Sequence, residues 1–406
     1  MLITLSWRNI WRNKVRSMVV ILAIAVGLTG GIFIAGMMNG MVAKQTSNTI
    51  NNEISDIQIH QPKYLENSNP KYLISDVDQK LKKINANPDV TAGCYRTKAL
   101  VMARTASKGA GVTIMGINPD LEKEVTAIPD QIIKGTYFET ETRSQPIVIG
   151  EKLAKKLNVD LGKKIIMSFT TLDQEQVATA FRVVGIFKTN DSRFDEMHVF
   201  VLQQELNKDL GINGNMANEI AIRTTSQDLA PQVTKELAQV FPDLSVQSWR
   251  EIKPSLIVML TMMDQFSLWL IVIILFALIF GIINTMLMVI MERKKELGML
   301  MSVGMNKMRV FKMILFETSM LALVGAGIGL AASIGLVSWL SHDGINLGFW
   351  AEGLEAVGYS AFVYPYVSNG YYLNITILTL ATAIIASIWP TRKALKMNPA
   401  EAVRAE

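Results

Sequence analysis

The 406-residue sequence contains one cysteine, three histidines and few charges. With Cys94 alone, no disulfide can form within the chain, so an extracytoplasmic part must be held by its own core. His60, His198 and His342 are scattered and, with that single thiol, offer no ligand set at metal-binding spacing. A phosphate-binding loop is missing too. Gly111-Val-Thr-Ile-Met-Gly116 has the glycine spacing but is followed by Ile117 and Asn118, and Gly162-Lys163-Lys164 lacks the hydroxyl residue and the preceding glycine. The chain is therefore expected neither to hydrolyse ATP nor to bind a cofactor. Ser192, Asp195 and His198 lie close together, but a hydrolytic triad is defined by geometry, and a polar loop is expected there. No residue has a catalytic claim.

Charged residues make up 18% of the chain, against roughly 25% in soluble proteins. Their absence is concentrated in four charge-free apolar stretches: Met18–Met38, Phe266–Met291, Thr318–Leu340 and Tyr371–Trp389. Each approaches or exceeds the ~20 residues that cross a bilayer core. Together they hold 89 residues, which excludes both a purely soluble enzyme and a compact many-helix carrier. Met18–Met38 is longer than the usual apolar region of a signal peptide and is followed by no A-x-A cleavage site, so it reads as a retained anchor.

Basic residues flanking spans stay cytoplasmic. Arg8, Arg12, Lys14 and Arg16 precede the first span. Arg293, Lys294, Lys295, Lys307, Arg309 and Lys312 lie between the second and third, and Arg392, Lys393, Lys396 and Arg404 follow the fourth. Ser341–Gly370 has no basic residue. Both termini and the middle connection are thus expected inside, and the large segment between the first two spans outside. That segment is neutral, with 26 basic and 26 acidic residues over 41–263. The net charge of +5 accordingly reflects membrane orientation and anionic headgroups, with no nucleic-acid partner behind it.

The fold class expected is membrane α-helical, four transmembrane helices with a large extracytoplasmic mixed α/β domain between helices 1 and 2. Residues 1–16, with Trp7 and Trp11 among arginines, suit an amphipathic helix at the inner interface or a plain basic flank. The first span covers 17–40 and the outer domain 41–254. In that domain, strand-like runs such as Ile54–Ile59, Ala99–Ala103, Val112–Ile117 and Ala178–Ile186 alternate with helical patterns at Asp76–Asn85, Glu151–Leu157, Gln203–Leu210 and Gln227–Val240. One or two α/β subdomains are expected. Residues 255–291 combine a stalk with the second span, since 37 continuous helical residues would extend about 55 Å. A coupling segment at 292–309, the third span at 310–340, an outer loop at 341–370, the fourth span at 371–390 and a tail at 391–406 complete the layout.

The segment Glu292-Arg-Lys-Lys-Glu-Leu-Gly-Met-Leu-Met-Ser-Val-Gly-Met-Asn-Lys-Met-Arg309 mixes charge with an apolar set, Leu297, Leu300, Met301 and Val303. Such spacing forms a small amphipathic helix that could dock in a groove on a cytoplasmic partner. Gly298 and Gly304 permit close approach or a break. Small-residue pairs Gly27/Gly31, Gly36/Gly40, Gly325/Gly329 and Ala331/Gly335 allow helix backbones to meet in lipid. For the third span that contact is expected within the chain. Glu317 is the clearest ionisable group in a span, and pairing with Lys312 or Arg309 is expected.

Glu292-Arg-x-x-Glu-Leu-Gly-Met-Leu-x-x-x-Gly304 resembles the coupling segment of the FtsX-like permeases, the membrane subunits of MacB-type ABC transporters. The tail from Trp389 to Arg404 is similar to that family's ending. Gly150-Glu-Lys-Leu-Ala-Lys-Lys-Leu-Asn-Val-Asp-Leu-Gly162 and Phe181-Arg-Val-Val-Gly-Ile-Phe187 are similar to stretches of its outer domain. Met38-Asn39-Gly40 followed by Ile57-Gln-Ile-His60 looks like the lipoprotein-releasing branch, LolC and LolE.

The resemblance implies a bacterial inner-membrane permease subunit with ATP and Mg²⁺ held by a separate ABC ATPase. Glu292, Arg293, Glu296, Leu297, Gly298, Leu300, Met301 and Gly304 would serve coupling to that ATPase. It also implies a second permease copy or paralogue, packed through the first span's Gly27, Gly31, Gly36 and Gly40. Met37, Met38, Asn39 and Met41 would lie at the mouth of a cavity for acyl chains, where methionine suits irregular apolar ligands. The implied cargo is a lipoprotein. The alternatives are efflux of hydrophobic compounds or peptides through a periplasmic adaptor, and FtsX-like regulation of a cell-wall hydrolase without transport.

Overall fold

The computed structural model describes residues 14–67, 69–139 and 145–395. Most of the expected interfacial helix, and the tail beyond Leu395, lie outside the described residues. The chain divides into two compact units. One comprises residues up to Val42 together with Thr261–Asn346 and the segment from Phe362 onward; the other comprises Ala43–Leu260 and Leu347–Ala361.

Four helices are long and apolar enough to cross a membrane. Their cores are Lys14–Thr49, Pro254–Glu292, Lys307–Asp343 and Asn369–Leu395. Each extends beyond its charge-free stretch, the i→i−4 hydrogen bonding of the helix continuing into the flanking residues. A short helix, Lys294–Ser302, connects the second and third. Gly304, at φ +95°, makes the break after it, and the Asn306 side chain accepts from the Met308 amide to start the third span.

The strands between the first two membrane helices are β1 (Ile57–His60), β2 (Ile74–Ser75), β3 (Val90–Arg104), β4 (Gly109–Ile117), β5 (Ile132–Gly135), β6 (Pro146–Gly150), β7 (Lys164–Thr170), β8 (Gln176–Phe187), β9 (His198–Leu202), β10 (Met216–Ala217), β11 (Glu219–Thr224) and β12 (Ser245–Ser248). Ten of them form one sheet in the order β12-β1-β11-β3-β4-β9-β6-β8-β5, with β7 bridging β3 and β8. The pairing β3-β4-β9-β6-β8-β7 therefore returns to β3, and these six strands close into a small barrel.

Alternation decides what fills the barrel. Ala99, Val101 and Ala103 of β3, Val112 and Ile114 of β4, Ile147 and Ile149 of β6, Ile165 and Met167 of β7, Phe181 and Val183 of β8, and Val199 and Val201 of β9 form one buried cluster. Helices Glu151–Leu157 and Gln203–Leu210 add Leu153, Leu157, Leu206 and Leu210 to it. A second core lies under β1, β11 and β12, where Ile57, Ile59, Ile220 and Ile222 meet Val77, Leu81, Val233 and Leu237 from helices Val77–Ile84 and Ala230–Val240. β3 belongs to both cores, because its first half pairs with β11 and its second half with β7.

Two local expectations are corrected. The run Ile54–Ile59 is not one strand: the helical backbone continues as a π-turn, Ile50–Ile54, and β1 starts only at Ile57. Between them Ser55 adopts φ 61° and ψ −175°, a conformation that costs a non-glycine residue about 1–3 kcal/mol. It is held there by buried hydrogen bonds on either side: Gln58 Nε2 donates to Ile54 O at 2.8 Å and the Asp56 amide to Ile222 O at 3.1 Å. Secondly, the polar stretch around Ser192 is a helix, Ser192–Met197, because the Asp191 side chain caps it by accepting from the Arg193 and Phe194 amides.

Candidate coupling site

The helix Lys294–Ser302 is amphipathic, as its spacing predicts, but its apolar face already has a partner. Leu297 is 3% exposed and joins a cluster with Met286, Ile290, Val310, Met313 and Ile314, against which Leu300 and Met301 also pack. That corrects the expectation that this face waits for a cytoplasmic partner. Val303 does not belong to it, being 90% exposed, and Met299 also faces outward. The surface open to another protein is therefore the opposite one, carrying Glu292, Lys295, Met299, Ser302 and Val303. Gly298 is buried.

Arg293 stands at the start of this helix. Its Nε donates to Glu296 at 3.1 Å and its Nη1 to both carboxylate oxygens of Glu317, at 2.9 and 3.1 Å. Among the described residues Glu317 thus pairs with Arg293, and not with the expected Lys312 or Arg309. Both side chains are largely buried. The preceding turn of a helix is the nearest neighbour in sequence, but here the bend between two helices brings a residue from 24 positions away.

Small residues set the helix spacing. At Gly329, a Cβ would lie 2.9 Å from the Ala25 carbonyl oxygen and 3.1 Å from Leu28 Cβ; at Gly325 it would lie 3.0 Å from Ile21 O and Ile24 Cβ. The Thr29 hydroxyl donates to the Gly329 carbonyl at 3.1 Å. The first-span glycines meet the same chain as well. Gly27 faces Leu278 and Gly31 faces Ile274, both on the second span. Gly36 faces Val367, and at Gly40 an added Cβ would overlap the Tyr364 carbonyl. The Tyr366 amide donates to Gly36 O at 2.9 Å, which holds this segment against the first helix. The small-residue face expected at a subunit contact is filled by this chain. Gly335 has nothing within 4 Å.

Met37, Met38, Asn39 and Met41 are all partly buried along the first helix. A cavity of about 480 Å³ exists in this unit, but it is lined by residues including Ile334, Ser338, Tyr366, Tyr372 and Leu373 and by none of those four.

Sequence reasoning missed a buried charge network in the outer domain. Arg96, fully buried on β3, donates through Nε and Nη2 to Glu122 at 3.1 and 2.7 Å, and through Nη1 to Glu219 at 2.9 Å and to the Glu53 carbonyl at 3.1 Å. Lys98 Nζ reaches Glu219 at 2.5 Å and His60 Nε2 lies 3.1 Å from it. Burial alone would raise the Glu219 carboxyl; Lys98, His60 and Arg96 overcome it and hold the group well below the usual carboxylate range. Facing that carboxylate, His60 Nε2 carries the proton and donates. Glu53, within the π-turn, also pairs with Lys253 at 2.5 Å, one residue before the second span's helix.

Ser192, Asp195 and His198 form no triad. Asp195 accepts from the Thr189 amide and hydroxyl, the latter at 2.7 Å, and burial pushes its carboxyl up to about 7 against those bonds. His198 Nδ1 faces the Phe194 carbonyl at 3.3 Å, and burial pushes its imidazole down. Among the described residues no group of three or more potential ligands could hold a metal. Part of the outer loop, Leu347–Ala361, packs within the outer unit. Arg193 Nε donates to Ala356 O at 3.2 Å and Gln45 to Val357 O at 3.3 Å.

A membrane bundle with a short amphipathic connection, and a mixed α/β domain inserted between its first two helices, is the layout of an ABC transporter permease of the LolC, MacB and FtsX type. The chain belongs to the MacB-like periplasmic core domain family, which matches residues 17–240, and residues 268–399 match the FtsX-like permease C-terminal family. It is 21% identical to the lipoprotein-releasing system transmembrane protein LolC of Neisseria meningitidis, over 96% of this chain and 94% of that one. It is 23% identical to the LolC of Haemophilus influenzae, over 95% of this chain and 92% of that one. Among solved structures, the periplasmic region of MacB from Actinobacillus actinomycetemcomitans is similar at 14% identity and a TM-score of 0.35, covering 52% of this chain and 97% of that one.

Proposed function

We propose that this chain is the permease subunit of an ATP-driven transporter that extracts lipoproteins from the bacterial inner membrane, paired with a second permease copy or paralogue. The observation that carries this reading is its likeness to LolC over 95–96% of this chain, at 21–23% identity. A separate ATPase, holding ATP and Mg²⁺, docks on the open surface of Lys294–Ser302. Both termini lie in the cytoplasm and the barrel-containing domain in the periplasm, as the basic flanks require. Closure of the ATPase moves the coupling helix, and the long first and second helices carry that motion outward. Acyl chains enter beside Met37, Met38, Asn39 and Met41, and membrane lipids surround the bundle.

Gentle purification of the chain from its native membrane, with identification of every co-purifying protein, tests this directly. An ABC ATPase, a permease and lipid-modified proteins are the expected companions. Recovery of a periplasmic adaptor in place of lipoproteins would turn the reading to efflux, and recovery of a cell-wall hydrolase would turn it to regulation.

A further inference from the structure

The ion pair between Arg293 and Glu317 joins the coupling helix to the third span, and nothing in the coupling segment's sequence pattern calls for it. Three features set it apart from an ordinary surface pair. The guanidinium spans three carboxylate oxygens, one on Glu296 and two on Glu317, so the fork fixes direction as well as distance. The Arg293 and Glu317 side chains are only 15% and 12% exposed, which limits screening by salt. The residue also sits at a bend: Arg293 separates the helix ending at Glu292 from the one starting at Lys294.

The coupling helix also rests on an apolar contact, which is directionless. Leu297, Leu300 and Met301 rest on Val310, Met313 and Ile314, and such a contact tolerates sliding. A fork of hydrogen bonds does not. Lys295, on the same helix, is exposed, so the charge that faces outward and the charge that faces the bundle are separate groups.

We propose that Arg293, seated on Glu317, is the positioning residue that locks the coupling helix to the third span, so that a push on the helix becomes movement of the span. The proposal rests on the permease reading above. Removing Glu317 alone leaves the largely buried Arg293 guanidinium with the more exposed Glu296 as its carboxylate, whereas removing both members leaves no buried cation to satisfy and costs less. Glu317→Gln should therefore lower both the thermal stability of the chain and the number of cargo molecules released per ATP hydrolysed. The double variant Arg293→Gln/Glu317→Gln should regain stability close to the parent. Its release per ATP should still fall about tenfold. Recovery of release per ATP together with stability in the double variant would overturn the proposal, since the pair would then serve folding alone.

A second readout needs no cargo and so separates this proposal from the lipoprotein reading. Spin labels on Lys294→Cys, half-buried on the coupling helix and off its open surface, and on His342→Cys, exposed at the far end of the third span, report the distance between coupling helix and span. With the ATPase bound, locked movement keeps that distance the same with and without ATP and vanadate in the parent. The double variant should show a nucleotide-dependent change of several ångströms. A change of equal size in the parent contradicts the lock, whatever the cargo proves to be.

Discussion

Arg96→Met should destabilise the outer domain more than any other single change outside its apolar cores. The substitution keeps a long apolar side chain but leaves Glu122 and Glu219, both at most 1% exposed, without the cation between them. Breaking a buried pair by removing one partner costs about 3–5 kcal/mol. That is a large share of the roughly 5–15 kcal/mol that keeps a domain folded. At about 2–4 °C per kcal/mol for a domain of this size, thermal denaturation in detergent should fall by about 6–20 °C. The double change Arg96→Met and Glu122→Gln should recover a substantial part of the loss, because Glu219 keeps Lys98 and His60. A drop of less than about 2 °C for Arg96→Met would mean that water, not Arg96, neutralises the carboxylates.

Gly329→Leu should break the membrane bundle. Its Cβ would lie 2.9 Å from a backbone oxygen of the first span and 3.0 Å from Ala25 Cα, so the helices themselves must separate. In lipid that separation has no compensating hydrophobic gain, since the tails are as apolar as leucine and packing alone holds the helices together. Overpacking ordinarily costs about 1–3 kcal/mol, and more where backbone has to move. Gly335→Leu on the same helix is the control, because nothing lies within 4 Å of its Cβ position. Monodispersity in mild detergent should be lost for Gly329→Leu and kept for Gly335→Leu. Equal behaviour of the two would show that the first and third spans do not meet at Gly329.

The sequence made the spans legible because hydrocarbon imposes one condition, the absence of charge over about 20 residues, and four stretches meet it. The coupling helix was legible for a similar reason, since Leu297, Leu300 and Met301 recur at helical spacing. What lies against them was not, because periodicity identifies a face to be covered without saying by what. The pairing of Arg293 with Glu317 depends on a bend near Gly304, and the seat of Arg96 on residues 26 and 123 positions away. Neither separation leaves a local mark. The first half of β3 was hidden by its own chemistry: Cys94, Arg96 and Lys98 make a poor strand pattern because they serve the buried network. The helix Ser192–Met197, by contrast, did carry a readable signal in the cap at Asp191. Closure of the barrel rests on three pairs, Met102–Ser168, Ala103–Met167 and Arg104–Ile166, and long-range register of that kind is invisible to composition.

The most direct measurement couples two rates in one vesicle. The chain, its partner permease and the ATPase are reconstituted together, with a lipid-modified protein in the bilayer, and ATP hydrolysis and release of that protein are followed side by side. Release should occur only with the complete set and should rise in proportion to ATP consumed, while vesicles holding this chain without the ATPase consume none. Nucleotide hydrolysis by the isolated chain, or steady ATP turnover by the full assembly with the lipoprotein left in the membrane, would contradict a permease that turns force from a separate ATPase into extraction.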